Sequence, residues 1–234
     1  MKAGMSPSTS YFSKSPISIN GANCGSPAGS FPDLRTFSRS GGGMRNLVTA
    51  TTASDNSIYG QLTCDLGPES VFQTAKQMGI TSLTGSGIYT DRENISLGLG
   101  AVYKGVSVLD MARAYAPLAN GGFRINVMPM TKLVRRDGTT IVFKPKRTKI
   151  FSDGVANEVT KILRQNVQGG TGTAASLPNT PVAGKTGTTN GFKDAWFVGY
   201  TPRYVTAVWI GYPLGERATG ETGGQTAAPI WHDF

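Results

Sequence analysis

Pro181-Val182-Ala183-Gly184-Lys185-Thr186-Gly187-Thr188 decides the fold class, because it opens a C-terminal third written for strands. Alternation places Lys185 and Gly187 on one face of such a strand and turns Thr186 and Thr188 away from it. Glycine lets another backbone approach closely, and lysine offers fixed positive charge to a carboxylate. Two further runs follow, Asp194 to Thr201 and Tyr204 to Tyr212, rich in aromatic and β-branched residues, with turns at Asn190-Gly191 and around Pro202. The three runs read as an antiparallel meander. Trp196, Phe197, Tyr200 and Trp209 read as sheet packing and not as a ligand cage. Ala227 to Phe234 reads as the start of a helix.

Upstream of the strands, valine or isoleucine at 155, 159 and 162, with Leu163 and Val167, has a helical period that ends at Gly169-Gly170. Before that helix, Lys132 to Arg135 and Thr140 to Phe143 flank Asp137-Gly138, a hairpin signal. Ser107 and Asp110 cap a helix carrying Val108, Leu109, Ala112, Tyr115 and Ala116, which stops near Asn120-Gly121-Gly122, with Pro117 expected to bend or end its last turn. Gly67-Pro68-Glu69 opens another helix, closed by Gly79. Met44 to Ala53 and Ser57 to Asp65 are helical candidates bridged by the capping residues Ser54-Asp55-Asn56. Residues 1–43 contain Gly25 to Ser30 and Ser38 to Gly43, rich in Ser, Gly and Pro, and read as irregular with at most a short strand at Pro16 to Ile19.

A length of 234 residues suffices for a continuous core. Hydrophobic residues at 38% and charged residues at 16% describe a globular chain. One histidine, His232, and two cysteines, Cys24 and Cys64, are too few for a structural zinc site and leave a Ser-His-Asp triad only a terminal base. Lysine is the better partner for any activated serine. The cysteines stand forty residues apart and could pair in an oxidising compartment or serve as small buried apolar residues. Two unpaired thiols is the reading adopted. The net charge of +9 would suit a polyanion, but the basic run from Arg135 to Arg147 has no interleaved aromatics for base stacking, and a solvated basic face is preferred. The sequence has no run of 18 apolar residues and no apolar leader core.

Gly184-Lys185-Thr186 has the ending of a phosphate-binding loop, yet the first glycine of that loop would fall at Asn179, and Pro181 interrupts the cradle. Lys185-Thr186-Gly187 instead gains weight from Ser54-Asp55-Asn56, because these two elements in this order accompany S-x-x-K in penicillin-binding proteins and serine β-lactamases. The likeness extends over nearly the whole chain. Ser54 to Leu62 with Leu66-Gly67-Pro68, Leu97 to Gly100, Ala119 to Gly122, Gly170 to Ala174, Gly184 to Thr189, Asp194 to Pro202, Thr222-Gly223-Gly224 and Ala227 to Trp231 resemble the transpeptidase domain of bifunctional, class A penicillin-binding proteins.

The resemblance implies an α+β fold of the penicillin-binding and serine β-lactamase type, with helices packed around an antiparallel sheet that is incomplete here. It implies one partial domain: residues 1–43 irregular, 44–130 helical with S-D-N, 131–180 a hairpin and helix, and 181–234 the K-T-G sheet and the start of a C-terminal helix. In that family a serine of S-x-x-K attacks a D-Ala-D-Ala stem peptide, forms an acyl-enzyme and passes the acyl group to an amine. Carried over, Ser54 relays a proton to the leaving amine, Asn56 bonds the substrate amide and Lys185 supplies the field. Thr186 and Thr188 bind the terminal carboxylate, the Thr188 N–H gives half an oxyanion hole, Gly187 permits close approach, and Gly170, Thr171, Gly172 and Thr173 line the cleft. Stem peptide and β-lactams are the implied partners, with no cofactor, metal or nucleic acid. An upstream glycosyltransferase domain, a membrane anchor and the extracytoplasmic face of a bacterial membrane are implied likewise.

The chain departs from the pattern at one point: no serine stands three positions before any lysine. The nucleophile of the family lies shortly before the segment that Lys2 to Pro7 resembles, so Met1 is expected to be an internal start or a fragment boundary. The chain alone is then expected to be inactive, with three of five sheet strands, an open apolar edge and poor solubility. Competing readings are a non-catalytic penicillin- or peptidoglycan-binding module, and a D,D-carboxypeptidase or β-lactamase of the same superfold.

Overall fold

In a computed structural model the chain is described over residues 4–25, 31–86, 90–215 and 217–234. Four short strands, β1 (Ser10–Phe12), β2 (Ile17–Ile19), β3 (Phe31–Leu34) and β4 (Met44–Asn46), precede four helices, α1 (Leu47–Thr52), α2 (Asn56–Leu66), α3 (Pro68–Met78) and α4 (Val108–Ala119). Strands β5 (Phe123–Ile125), β6 (Lys132–Val134), β7 (Thr140–Val142) and β8 (Arg147–Lys149) lead to the long α5 (Asp153–Gly169). The chain then runs through β9 (Ala183–Thr188), β10 (Asp194–Tyr200), β11 (Val205–Gly211) and α6 (Ala228–Asp233). The fold is α+β.

The three C-terminal strands form one antiparallel sheet in the order β11-β10-β9. Helix α5 packs on it because its buried stripe matches the sheet: Val167 shares a buried cluster with Phe197 and Trp231, and Leu163 shares one with Ala183 and Tyr200. Phe197 is fully buried and edge-on to Trp231, ring centroids 5.4 Å apart, and the Trp231 indole N–H donates to Thr206 O at 3.1 Å. Truncating such a ring to alanine costs about 3–5 kcal/mol. Trp196 and Trp209 face each other across the β10–β11 ladder at 6.1 Å as partly buried sheet packing. Pro117 does not end α4, which continues to Ala119.

Three expectations need correction. Met44–Asn46 is a strand paired with β1, so the helix expected from Met44 starts only at Leu47, with the Asn46 side chain accepting from Thr49 N–H as its cap. The N-terminal segment also carries more order than its composition implied: β2 pairs with β3, and Gly21–Cys24 forms a 3₁₀ turn, although Ser26 to Ser30 of the Ser/Gly/Pro-rich stretch lie outside the described residues. Ladder pairing with distant segments orders what local propensity leaves open.

The cysteines are not two free thiols. Cys24 and Cys64 form a disulfide with Cα atoms 4.6 Å apart. The β2–β3 hairpin lies against α2, and Ile19, Cys24, Leu34 and Ile95 share a buried cluster with Cys64 at its margin. Sequence separation carried no information about that approach.

Candidate active site

Ser54 owes its position to the turn between α1 and α2. Its N–H donates to Thr51 O at 3.1 Å and the next N–H, from Asp55, to Ala50 O at 2.9 Å. These are the two bonds of a Schellman ending, in which the residue after the cap is left-handed and usually glycine. Ser54 holds that place with φ +53°. Asp55, fully buried, then starts α2: Oδ1 accepts from the Ser57 N–H and Oγ, and Oδ2 accepts from Ser13 Oγ at 2.6 Å and the Arg45 guanidinium at 3.0 Å. The middle residue of the S-D-N tripeptide is therefore an anchor that fixes its two neighbours. Asn56 Nδ2 donates to Arg35 O at 3.0 Å.

Across the cleft, β9 is the edge of its sheet. Thr189 N–H donates to Asp194 O, which continues the β9–β10 register in which Thr188 faces Ala195. Ladder bonds alternate along an antiparallel pair, so Gly184, Thr186 and Thr188 direct their N–H and C=O off the free edge. Two contacts agree with this: Gly184 O accepts from Asn166 Nδ2 at 2.9 Å and Thr186 O from Lys185 Nζ at 3.2 Å. By this alternation the Thr188 N–H also points off the edge.

Lys185 Nζ donates to Ser54 Oγ at 2.9 Å, a contact across 131 residues of chain. Thr186 Oγ1 and Thr171 Oγ1 lie 3.3 and 3.4 Å from the same nitrogen, and the two threonine hydroxyls are 2.6 Å apart. The sequence reading separated Lys185 from Thr186 by face; the flexible lysine stem curls past the free edge and brings them together. None of these partners is a carboxylate, so burial dominates and pushes the Lys185 ammonium down from 10.5 to about 8. Thr188 Oγ1 accepts from Gly223 N–H at 3.1 Å.

Sequence reasoning missed Asn166, which is fully buried on α5. Its Oδ1 accepts from Thr171 N–H and Thr171 Oγ1, while its backbone oxygen accepts from the N–H groups of Gly170 and Gly172. One residue thus ties the 170–172 turn to β9 through Gly184. The available signal was a polar residue inside the apolar stripe of Ile162, Leu163 and Val167. Gly170 is required by space: a Cβ there would sit 2.7 Å from both Thr52 O and Asn166 Oδ1. At Gly223 a Cβ would come within 2.2 Å of Trp196 O and 2.5 Å of Gly187 O, so that turn lies directly on the strand backbone. Phe37 and Phe192 meet edge-on at 6.2 Å and are both exposed, linking the segment after β3 to the turn after β9.

The structure therefore brings Ser54, Thr171 and Thr186 around Lys185 Nζ, with Gly187 and Thr188 further along the same strand and Gly170 and Gly172 on either side of Thr171. Asn56 follows Ser54 at the start of α2, and its side-chain nitrogen turns to Arg35 O. Among the described residues no group of three His, Cys, Asp or Glu could hold a metal ion.

The comparisons with known proteins identify the family to which this α+β fold belongs. The chain belongs to the penicillin binding protein transpeptidase domain family, whose pattern matches residues 16–234. Its relatives are of the class A type. Penicillin-binding protein 1A of Neisseria meningitidis is 32% identical over the whole chain and 29% of its own length, and that of Clostridium botulinum is 35% identical over 82% of the chain and 23% of its own. The chain spans less than a third of the length of these relatives. Among solved structures, PonA1 of Mycobacterium tuberculosis in complex with penicillin V superposes with a TM-score of 0.78 at 29% identity, covering 98% of this chain and 63% of that one. Penicillin-Binding Protein 1A from Haemophilus influenzae superposes with a TM-score of 0.81 at 23% identity, over 99% of this chain and 39% of that one, and shares the fold.

Proposed function

We propose that the chain forms most of the cleft of a D,D-transpeptidase that cross-links D-Ala-D-Ala stem peptides and is acylated by β-lactams. One observation carries this reading: Lys185 Nζ lies 2.9 Å from Ser54 Oγ with no carboxylate partner. A half-buried lysine whose ammonium burial makes more acidic, bonded to a hydroxyl, can pass a proton through Ser54 to a leaving amine. Asn56, with Nδ2 committed to Arg35 O, accepts a substrate amide N–H through Oδ1. The hydroxyls of Thr186 and Thr188 take the terminal carboxylate, next to the Lys185 charge, and the Thr188 N–H serves the oxyanion. Gly187 lets the substrate backbone approach, and Gly170, Thr171 and Gly172 form the rear wall. The nucleophilic serine comes from outside these 234 residues, in which no lysine follows a serine at the required spacing. The Cys24–Cys64 disulfide supports an extracytoplasmic, oxidising location. Among the described residues no helix is long and apolar enough to cross a membrane, and we assign anchoring and a glycosyltransferase domain to other parts of the protein.

Fluorescent penicillin tests the proposal in cells making the whole gene product. Label that survives denaturation is expected, and Lys185→Ala is expected to slow acylation about a hundredfold or more. Absence of covalent label on the native protein overturns the reading. The missing S-x-x-K favours one second reading, a module that binds without acylation. Label that exchanges freely and washes out on denaturation would select it.

A further inference from the structure

A second cleft, sharing no residue with the one above, lies between the end of α3, the segment that follows it, α4 and β5. Its volume is about 330 Å³, and Lys76, Arg113 and Arg124 are among its lining residues. No carboxylate among the described residues lines it. Arg113 Nε and Arg124 Nε are both buried with no hydrogen-bond partner. Arg124 spends one terminal nitrogen on Gln77 O at 3.0 Å. Asp110, one turn before Arg113 on α4, uses Oδ2 for the N–H and hydroxyl of Thr81 and forms no ion pair with either arginine. A ligand in the cleft would meet the terminal guanidinium nitrogens, since the two Nε atoms are shut off from solvent, and among the described residues Arg113 spends none of its terminal nitrogens on a protein acceptor.

The backbone is shaped to keep Arg113 there. Gly79 ends α3 in the left-handed region at φ +113°, and Arg113 Nε lies 3.0 Å from where its Cβ would stand. An adjoining depression of about 440 Å³ shares Arg124 and adds Lys149 and Thr148. Lys149 there already binds Asp153 and Gly121 O, so the free donors concentrate around Arg113 and Arg124.

We infer that this cleft binds the phosphate group of a small phosphorylated molecule, held by the guanidinium groups of Arg113 and Arg124 with Lys76 at the rim. Guanidinium forks match phosphate oxygens two by two, and three cations without a carboxylate favour a doubly charged group over a single carboxylate. The cleft has room beyond a phosphate ion, which leaves space for an organic body. This assignment is independent of the transpeptidase reading.

The test is a calorimetric titration of the detergent-solubilised whole gene product with inorganic phosphate, balanced with sodium chloride at constant ionic strength. Saturable heat is expected, and Arg113→Met or Arg124→Met is expected to weaken binding about tenfold or more. Lys76→Met, at an exposed rim position, should weaken it less while leaving the fold intact. Arg113→Lys and Arg124→Lys cover the case in which a methionine variant fails to fold. A linear response equal to that of chloride overturns the inference, as does binding unchanged in all the variants. Saturation by acetate or citrate but not by phosphate also overturns it, in favour of a carboxylate site.

Discussion

Ser54 occupies a backbone conformation that suits glycine, and its hydroxyl is the reason a serine stands there. Left-handed geometry costs an L-residue roughly 1–2 kcal/mol. Ser54→Gly and Ser54→Ala both delete the hydroxyl and its contact with Lys185, so their difference isolates that strain. The glycine variant is expected to be more stable than the alanine variant by about 1 kcal/mol in urea unfolding; equal midpoints would show the turn to be unstrained. Lys185 imposes a second tension. Its ammonium drops from 10.5 to about 8 on burial, so between those values the unfolded chain retains a proton that the folded chain has released. Stability therefore rises with pH from about 8 to 10.5, and this gain is absent below 8. Unfolding midpoints of wild type minus Lys185→Met should rise over that window and stay flat beneath it. A flat difference throughout would refute the burial of the charge.

At the level of elements, the disulfide joins the turn after β2 to α2, the helix that Asp55 begins. Closing a loop of this span stabilises by about 4 kcal/mol in the chain-entropy account. The Cys24→Ala/Cys64→Ala protein is expected to lose up to that amount in denaturant unfolding, and a loss below 1 kcal/mol would mean that the hairpin docks without it. Helices with strong punctuation were legible in the sequence: Pro68 and Gly79 bound α3, Ser107 caps α4 and the apolar period runs the length of α5. The Asp137-Gly138 hairpin was legible too, with Gly138 at φ +83°. The four N-terminal strands were mostly not, because each is three or four residues long and exists through pairing with a distant partner. The cysteine pairing and the clasp made by Asn166 escaped for the same reason, since both depend on where separate elements meet.

For the molecule as a whole, the order of the motifs along the chain revealed the family, while the geometry between them had to come from the fold. Among the described residues the main sheet has three strands, and both β9 and β11 are edges. The proposed site lies on the β9 edge. On β11 the valine, tryptophan and isoleucine side chains are only partly buried, a combination prone to edge-to-edge association. The 234-residue chain expressed alone is expected to self-associate in light scattering as its concentration rises, with the unfolding comparisons above made at dilution, and a monomer at every concentration would refute this. The turn at Gly223 bears on how such a cleft changes over generations. Its backbone rests on Gly187 and Trp196 with no room for a methyl group, so every single-codon change at 223 displaces the strand that carries the lysine. The floor of the cleft is closed to gradual remodelling. Phe37 and Phe192, exposed and in contact with each other outside the strand, are by contrast free to be exchanged.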